Sequence, residues 1–205
     1  MANSPSQIAL YRKQLKSKLS PMRYEHSLSV SYTCICLAMR YGYDLDKAEI
    51  AGLLHDCGKR FSDDVILKKC EKKKIPMTEE QRNVPAVLHA NYGAWLARHK
   101  YQIEDEEILS AILYHTTGKP EMTTLEKILY VADYMEPRRS KAPDLGRIRL
   151  LAFQDLDETV YQILKGTLEY LEQKGGNVHP TTRQAYEYYD ARVKKSCMTC
   201  PHVDT

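Results

Sequence analysis

Apolar residues recur at helical spacing along nearly the whole chain, separated by short polar breaks, and nowhere alternate with period two over the length of a strand. Ile8, Tyr11, Leu15 and Leu19 mark a first short amphipathic helix. Ser20 and Pro21 then read as an N-cap and a first helical residue, opening a helix that runs to Tyr41 and stops at Gly42. On it His26, Val30, Thr33, Leu37 and Tyr41 share a face, so His26 points inward. Asp46 and Glu49 read as a capping box for the next helix, which carries Ala48, Ala51, Gly52, Leu54 and His55. Its small residues allow a second helix to come close. Asp63 to Lys74 predicts a further helix, ending in a lysine-rich run that reads as a solvated face.

Pro76 and Pro85 bracket a loop-rich stretch with a short helical turn at Thr78 to Gln81. A helix follows from His89 through Tyr92, Trp95 and Leu96 to near Tyr101, and the acidic run from Glu104 to Glu107 suits the N-terminus of the next. There Ile108, Ile112 and His115 lie on one face, closed by Gly118-Lys119-Pro120. Thr123 and Glu126 form another capping box, opening a helix on which Leu125, Leu129, Ala132 and Asp133 share a face up to Pro137. A carboxylate on an apolar face requires a partner. Leu145 to Phe153, Leu156 to Lys174 ahead of Gly175-Gly176, and Thr182 to Lys195 complete an all-α pattern without internal repeats. The expected organisation is a single helical bundle over residues 1–195 and a flexible tail over 196–205.

The chain of 205 residues can bury one sizeable core but hardly two. A net charge of only +3 offers no broad basic surface, so no nucleic-acid partner is expected. The longest apolar run, Cys34 to Met39, is too short to span a bilayer, and the first twenty residues lack an apolar leader segment. A cytoplasmic protein without a membrane partner is the expectation. The six cysteines are scattered, so reduced thiols are the default. Cys197, Cys200 and His202 offer three zinc-type ligands near the end of the chain, but no second cysteine pair follows, and a flexible tail is the preferred reading.

The chemistry gathers around Ala51–Lys59, where His55 and Asp56 end an apolar run. Alone such a pair says little. His26, His55, Asp56, His89, His115 and Asp133 together form an inward-facing set of four imidazoles and two carboxylates, each at or near a helix end or on an apolar helix face. That donor set suits iron, manganese, cobalt or zinc better than an oxygen-ligated magnesium or calcium site, and Asp56 can bridge two ions. Two ions ~3.5–4 Å apart hold a hydroxide and clamp phosphate oxygens, which is phosphoryl hydrolysis chemistry. Phosphate contacts are expected from Lys59, one turn beyond His55, from Arg139 after the Asp133 helix, and from Thr116, Thr117, Gly118 and Lys119 where a helix ends. Arg23, one turn before His26, is a further candidate.

The ordered set from His26 in Arg23-Tyr24-Glu25-His26-Ser27 to Asp133 resembles the HD-domain metal-dependent phosphohydrolase superfamily. More narrowly, Ala51–Lys59, Tyr114–Gly118 and Val131–Pro137 with Arg139 resemble the YqeK family, and the likeness continues through Leu171–Gly175 and His179-Pro180-Thr181. The resemblance implies an all-helical HD fold, a di-iron or similar centre, and symmetrical cleavage of diadenosine tetraphosphate to two ADP. It further implies His26, His55, Asp56 and Asp133 on one ion, His89 and His115 completing the second, and Asp56 shared. Asp56, Lys59 and Arg139 are the expected catalytic residues. Two departures stand out: Ala90-Asn91-Tyr92 follows His89 where the family often has a Gly-Pro stretch, and Gly58 stands where Ala is commoner. A small nucleotide is the expected partner and a homodimer a compatible assembly. The rival readings are an HD nucleotidase acting on mononucleotides and a non-catalytic nucleotide-binding regulatory module.

Overall fold

The signals that start and stop helices act where the sequence places them in most of the chain, and where they do not, a tertiary contact competes. The computed structural model describes residues 5–198, with side chains described over 7–195, and contains no strand among the described residues. After α1 (Pro5–Lys16), Ser20 caps α2 (Pro21–Tyr41) by accepting the Arg23 N–H at 3.3 Å. Gly42 ends α2 at φ 63°, a left-handed conformation that glycine adopts without a Cβ penalty. The helix α3 (Leu45–Leu54) departs from expectation. Its cap is Asp44, which accepts the Lys47 N–H at 3.0 Å, and no Asp46–Glu49 box forms. Glu49 instead takes the guanidinium of Arg12 on α1 at 2.6 Å, a contact between distant parts of the chain that local spacing could not disclose.

Helix α4 (Asp63–Lys73) buries Ile66 and Cys70 and leaves most of its lysines in solvent. The short α5 (Glu79–Asn83) is opened by a capping box of Thr78 and Gln81, and a 3₁₀ turn, Pro85–Val87, leads into α6 (Leu88–Lys100). Asp105 caps α7 (Glu106–Tyr114) by accepting two backbone N–H groups. This helix ends at Tyr114, four residues before Gly118, with His115 at its C-cap. The Thr123 and Glu126 capping box opens α8 (Thr124–Met135), as expected. Then come α9 (Leu145–Leu151), α10 (Leu156–Gln173) and α11 (Pro180–Met198), the last starting and ending outside its expected bounds. Cys200 and His202 lie outside the described residues, as does the side chain of Cys197.

Helices α2, α3, α7 and α8 pack on one another around fully buried Leu37, Leu53, Leu54, Ile112 and Leu129. On one side α6 lies between α7 and α4, and on the other α10 covers α8 and is covered by α11. No helix among the described residues is long and apolar enough to cross a membrane. At Gly52 the approach of α3 to α2 leaves no room for a side chain: a Cβ would stand 2.7 Å from Ser31 Cα on α2 and 3.0 Å from Cys34 Sγ. Backbone cannot yield as a side chain can, so Gly52→Ala must push α3 off α2. We expect it to cost about 1–3 kcal/mol in denaturant unfolding. It should also lower metal content, since α2 carries His26 and α3 ends on His55. A variant as stable as wild type would mean that the two helices can separate freely.

Candidate metal centre

Three of the four inward histidines are set by one local device. His55 follows the end of α3, His115 follows the end of α7, and His89 stands in the first turn of α6 after the 3₁₀ turn. Each donates its Nδ1–H to the carbonyl three residues back: Gly52 O, Ile112 O and Ala86 O, all at 2.7 Å. A helix end leaves such carbonyls without amide partners, and the imidazole satisfies one while gaining a fixed tautomer. With Nδ1 protonated, Nε2 of each neutral ring is left with its lone pair facing the interior. Burial pulls the imidazoles of His55 and His89 down to about 4 and about 3, so both rings are neutral at ordinary pH.

His26, in the second turn of α2, closes the set. Its Nε2 lies 3.3 Å from His55 Nε2, and His89 Nε2 lies 3.2 Å from His115 Nε2. Asp56, only 2% exposed, divides its oxygens between these pairs. Oδ2 is 3.6 Å from His55 Nε2 and 3.8 Å from His26 Nε2, while Oδ1 is 3.5 Å from His89 Nε2 and 3.7 Å from His115 Nε2. Asp133 on α8 adds Oδ1 at 3.1 Å from His26 Nε2 and 3.8 Å from His55 Nε2. His26, His55 and Asp56 form one group with mutually close ligand atoms, Asp56, His89 and His115 a second, and His55, His115 and Asp133 a third linking them. All six expected ligands meet at this centre.

The donor chemistry fits cations. Opposed imidazole lone pairs and acceptor-only carboxylates repel unless positive charge lies among them, and nitrogen with carboxylate oxygen is the ligand mixture of first-row ions. The carboxyls respond in the same sense. Burial alone would raise Asp56, but His55, His115 and Lys59 hold it well below the usual carboxylate range. Asp133 is likewise held low, against burial, by the hydrogen bond from His26 and by His55. In His26 burial pulls the imidazole down, but Asp133, Asp56 and Glu136 outweigh it and the net shift is upward.

Glu136, just beyond α8 and 2% exposed, was legible only as part of a motif, not as a participant. Its Oε1 takes His26 Nδ1 at 3.2 Å, and its Oε2 accepts from the Ser29 hydroxyl at 2.6 Å and the Arg138 N–H at 2.7 Å. Where the other three histidines use a backbone carbonyl to orient the ring, His26 uses a carboxylate, which also raises the basicity of the opposite nitrogen. The signal that could have found it is a carboxylate three residues after Asp133, immediately before the helix-stopping Pro137. Glu136→Gln keeps the shape and removes the charge. We expect metal affinity to fall about 10–100-fold, measured by competition with a chromophoric chelator, with little change in helical content. Unchanged affinity would reduce Glu136 to a helix-end prop.

The expected phosphate contacts disperse. Arg23 Nη1 donates to Asp56 Oδ2 at 2.6 Å, and Arg139 Nη2 donates to Asp133 Oδ1 at 2.8 Å, so each guanidinium is held by a carboxylate of the centre and remains partly exposed. A cleft of about 710 Å³ opens over the centre, with Lys59, His89, His115, Thr116, Asp133 and Arg139 in its wall. Lys59 is exposed there. Thr116 Oγ1 lies 3.2 Å from both His89 Nε2 and His115 Nε2. Its neighbours point elsewhere. Thr117 donates to Gly118 O at 2.9 Å, Gly118 at φ 63° faces Ala185 and Leu164, and Lys119 pairs with buried Glu126 at 3.2 Å. Gly58 is required by the fold, since a Cβ there would lie 2.5 Å from His89 O.

Comparison with known proteins points the same way. The family model of the HD domain matches residues 23–138, a span from Arg23 that takes in all six expected ligands. A Bacillus subtilis (strain 168) protein described as bis(5'-nucleosyl)-tetraphosphatase, symmetrical, is 40% identical over 174 residues, covering 85% of this chain and 92% of that protein. A Staphylococcus aureus protein of the same description is 39% identical over 194 residues, covering 89% and 96%. A crystal structure from Clostridium acetobutylicum, described as a predicted HD superfamily hydrolase involved in NAD metabolism, superposes with a TM-score of 0.85 at 36% identity and covers 94% of this chain and 100% of that one.

Proposed function

We propose, from the premise that this chain belongs to the HD-domain family, that it is a metal-dependent phosphohydrolase cleaving diadenosine tetraphosphate symmetrically to two ADP. The observation that carries the reading is the division of Asp56 between two histidine pairs, the arrangement a carboxylate bridging two ions needs. Similarity to proteins described as symmetrical tetraphosphatases supports the substrate. His26, His55, Asp56 and Asp133 would hold one ion, and His89 and His115, with Asp56, the other. When bound, two such ions, for which we propose iron ahead of manganese, cobalt or zinc, supply Lewis acidity toward phosphate oxygens and activation of water at neutral pH.

The residues of the chain do the positioning. Backbone carbonyls fix three imidazoles and Glu136 fixes the fourth, so the ligand set is assembled before substrate arrives and little reorganisation is needed during reaction. Arg23 and Arg139 keep donors beyond those spent on Asp56 and Asp133, and with Lys59 they can meet oxygens of a phosphate chain lying in the cleft. The Thr116 hydroxyl is placed to donate to an oxygen between His89 and His115. ADP departs from phosphorus as an anion, so the task at the leaving group is charge stabilisation, for which Lys59 and Arg139 are proposed. Attack at the second phosphate from either end gives two equal products. We place the protein in the cytoplasm, where Cys34, Cys36, Cys57 and Cys70, all free, stay reduced.

Chromatography of the products from diadenosine tetraphosphate tests the reading directly. ADP as the sole nucleotide product is expected; ATP with AMP would refute the symmetrical cut, and no turnover with any of the four metals would refute the activity.

A further inference from the structure

A second cavity, of about 360 Å³, lies between the segment joining α8 to α9 and the face of α10 that carries Gly166. We propose that it is the seat of the second nucleoside of a dinucleoside polyphosphate whose phosphate chain occupies the metal cleft. The inference rests on the function proposed above and answers a question the metal centre leaves open, namely how two nucleosides are told from one. A tetraphosphate cut at its middle carries two phosphates and a nucleoside on each side of the reacting atom. One half must therefore extend past the rim of the metal cleft.

The rim leads to this cavity. Tyr134 and Lys141 stand in the walls of both spaces, and Tyr134 directly follows Asp133. The Tyr134 hydroxyl donates to Pro143 O at 3.2 Å, which holds the ring against the connecting segment. Lys141 and Arg147 are exposed and not engaged with a carboxylate among the described residues, so their charges are available to a polyphosphate leaving the cleft.

The far wall has the chemistry of a nucleoside site. Gly166 sits in the middle of α10, where glycine is less stable than alanine, yet nothing lies within 4 Å of where its Cβ would be. No packing demand explains it; what the missing side chain provides is an open floor on the cavity. Tyr170, one turn further along the same helix, is 55% exposed, an aromatic face on which a purine can stack. Asp144 reaches the cavity from the opposite side. It is a non-glycine residue at φ 52°, and its carboxylate makes no cap bond to α9 although it occupies the cap position. A carboxylate with no hydrogen bond to the backbone beside a base-stacking surface is an acceptor for ribose hydroxyls.

The test compares two substrates with the same phosphate chain, diadenosine tetraphosphate and adenosine 5'-tetraphosphate, which lacks one nucleoside. Gly166→Leu fills the floor from a position with free space around it and replaces a poor helix former, so thermal unfolding should not fall below wild type. We expect KM for diadenosine tetraphosphate to rise roughly tenfold, the scale of one lost stacking contact. KM for adenosine 5'-tetraphosphate should move less than twofold. Tyr170→Ala, which removes an exposed ring, should act in the same direction and carries the test should the leucine variant fold poorly. Equal shifts for both substrates, or none in either variant, would overturn the proposal. If wild-type protein releases ADP from neither substrate, the functional reading itself fails. Calorimetric binding of diadenosine tetraphosphate then decides the cavity: tenfold weaker binding by the variants supports it, and unchanged binding overturns it.

Discussion

Asp56→Asn is expected to lower turnover of diadenosine tetraphosphate by roughly a thousandfold, the upper end of the range for losing one preorganised electrostatic group, while leaving the helical content near wild type. The side chain is 2% exposed and its two oxygens serve different histidine pairs. An amide of the same shape keeps one oxygen acceptor and turns an NH₂ toward either the His26–His55 pair or the His89–His115 pair. That removes one bridge position, removes the negative charge both ions would share, and takes the carboxylate from Arg23. The lesion is electrostatic and local, because no apolar packing is lost. Circular dichroism, metal content and product release measured on one preparation check it. Near-normal turnover with two ions bound would sink the bridging role, and a collapse of helical signal would show that Asp56 is needed for folding instead.

Chelation should abolish activity and lower the melting temperature together. Without cations the centre holds the facing lone pairs of His89 and His115 3.2 Å apart, His26 and His55 crowded to 3.3 Å, and two carboxyls whose burial opposes their charge. These lie on α2, on α8, at the starts or ends of α3, α6 and α7, and so on the packing surfaces of the bundle. A ligand bound only by the folded state, present at a thousandfold excess over its dissociation constant, stabilises by about 4 kcal/mol. For a chain of this size that corresponds to a fall of ~8–16 °C on removal. Restoring iron, manganese, cobalt or zinc in turn, and following melting and turnover in parallel, identifies which ion the centre accepts. Loss of activity without a change in melting would place the ions outside the bundle's own stability, and retained activity would remove metal from the mechanism.

Much of this protein was legible before any tertiary contact was known. The Ser20-Pro21 start, the Gly42 stop and the Thr123–Glu126 box are local signals, satisfied by atoms within a turn or two of the chain, and the structure forms them as expected. That the six proposed ligands would need partners was legible for a related reason, since side chains such as His26 and Asp133 on helix faces otherwise apolar declare an unmet need, and the structure brings the six together. The misreadings have the opposite character. The capping box expected of Asp46 and Glu49 gives way to Asp44 because Glu49 is claimed by Arg12 across the fold. Among residues 116–119 only Thr116 turns to the centre, because Glu126 takes Lys119 and the left-handed Gly118 turns the chain toward α10 and α11.

The sequence by itself determined the all-helical architecture, most helix boundaries and which side chains could serve as metal ligands, because periodicity, caps and donor chemistry are properties of near neighbours. Only the tertiary structure decided that Asp56 faces two histidine pairs with separate oxygens, that Glu136 stands behind His26, and that a second cavity adjoins the metal cleft beside Tyr134. Those relations join positions up to 110 residues apart. They depend on how closely the helices pack, down to the absence of one Cβ at Gly52, and no local pattern in the chain encodes that distance.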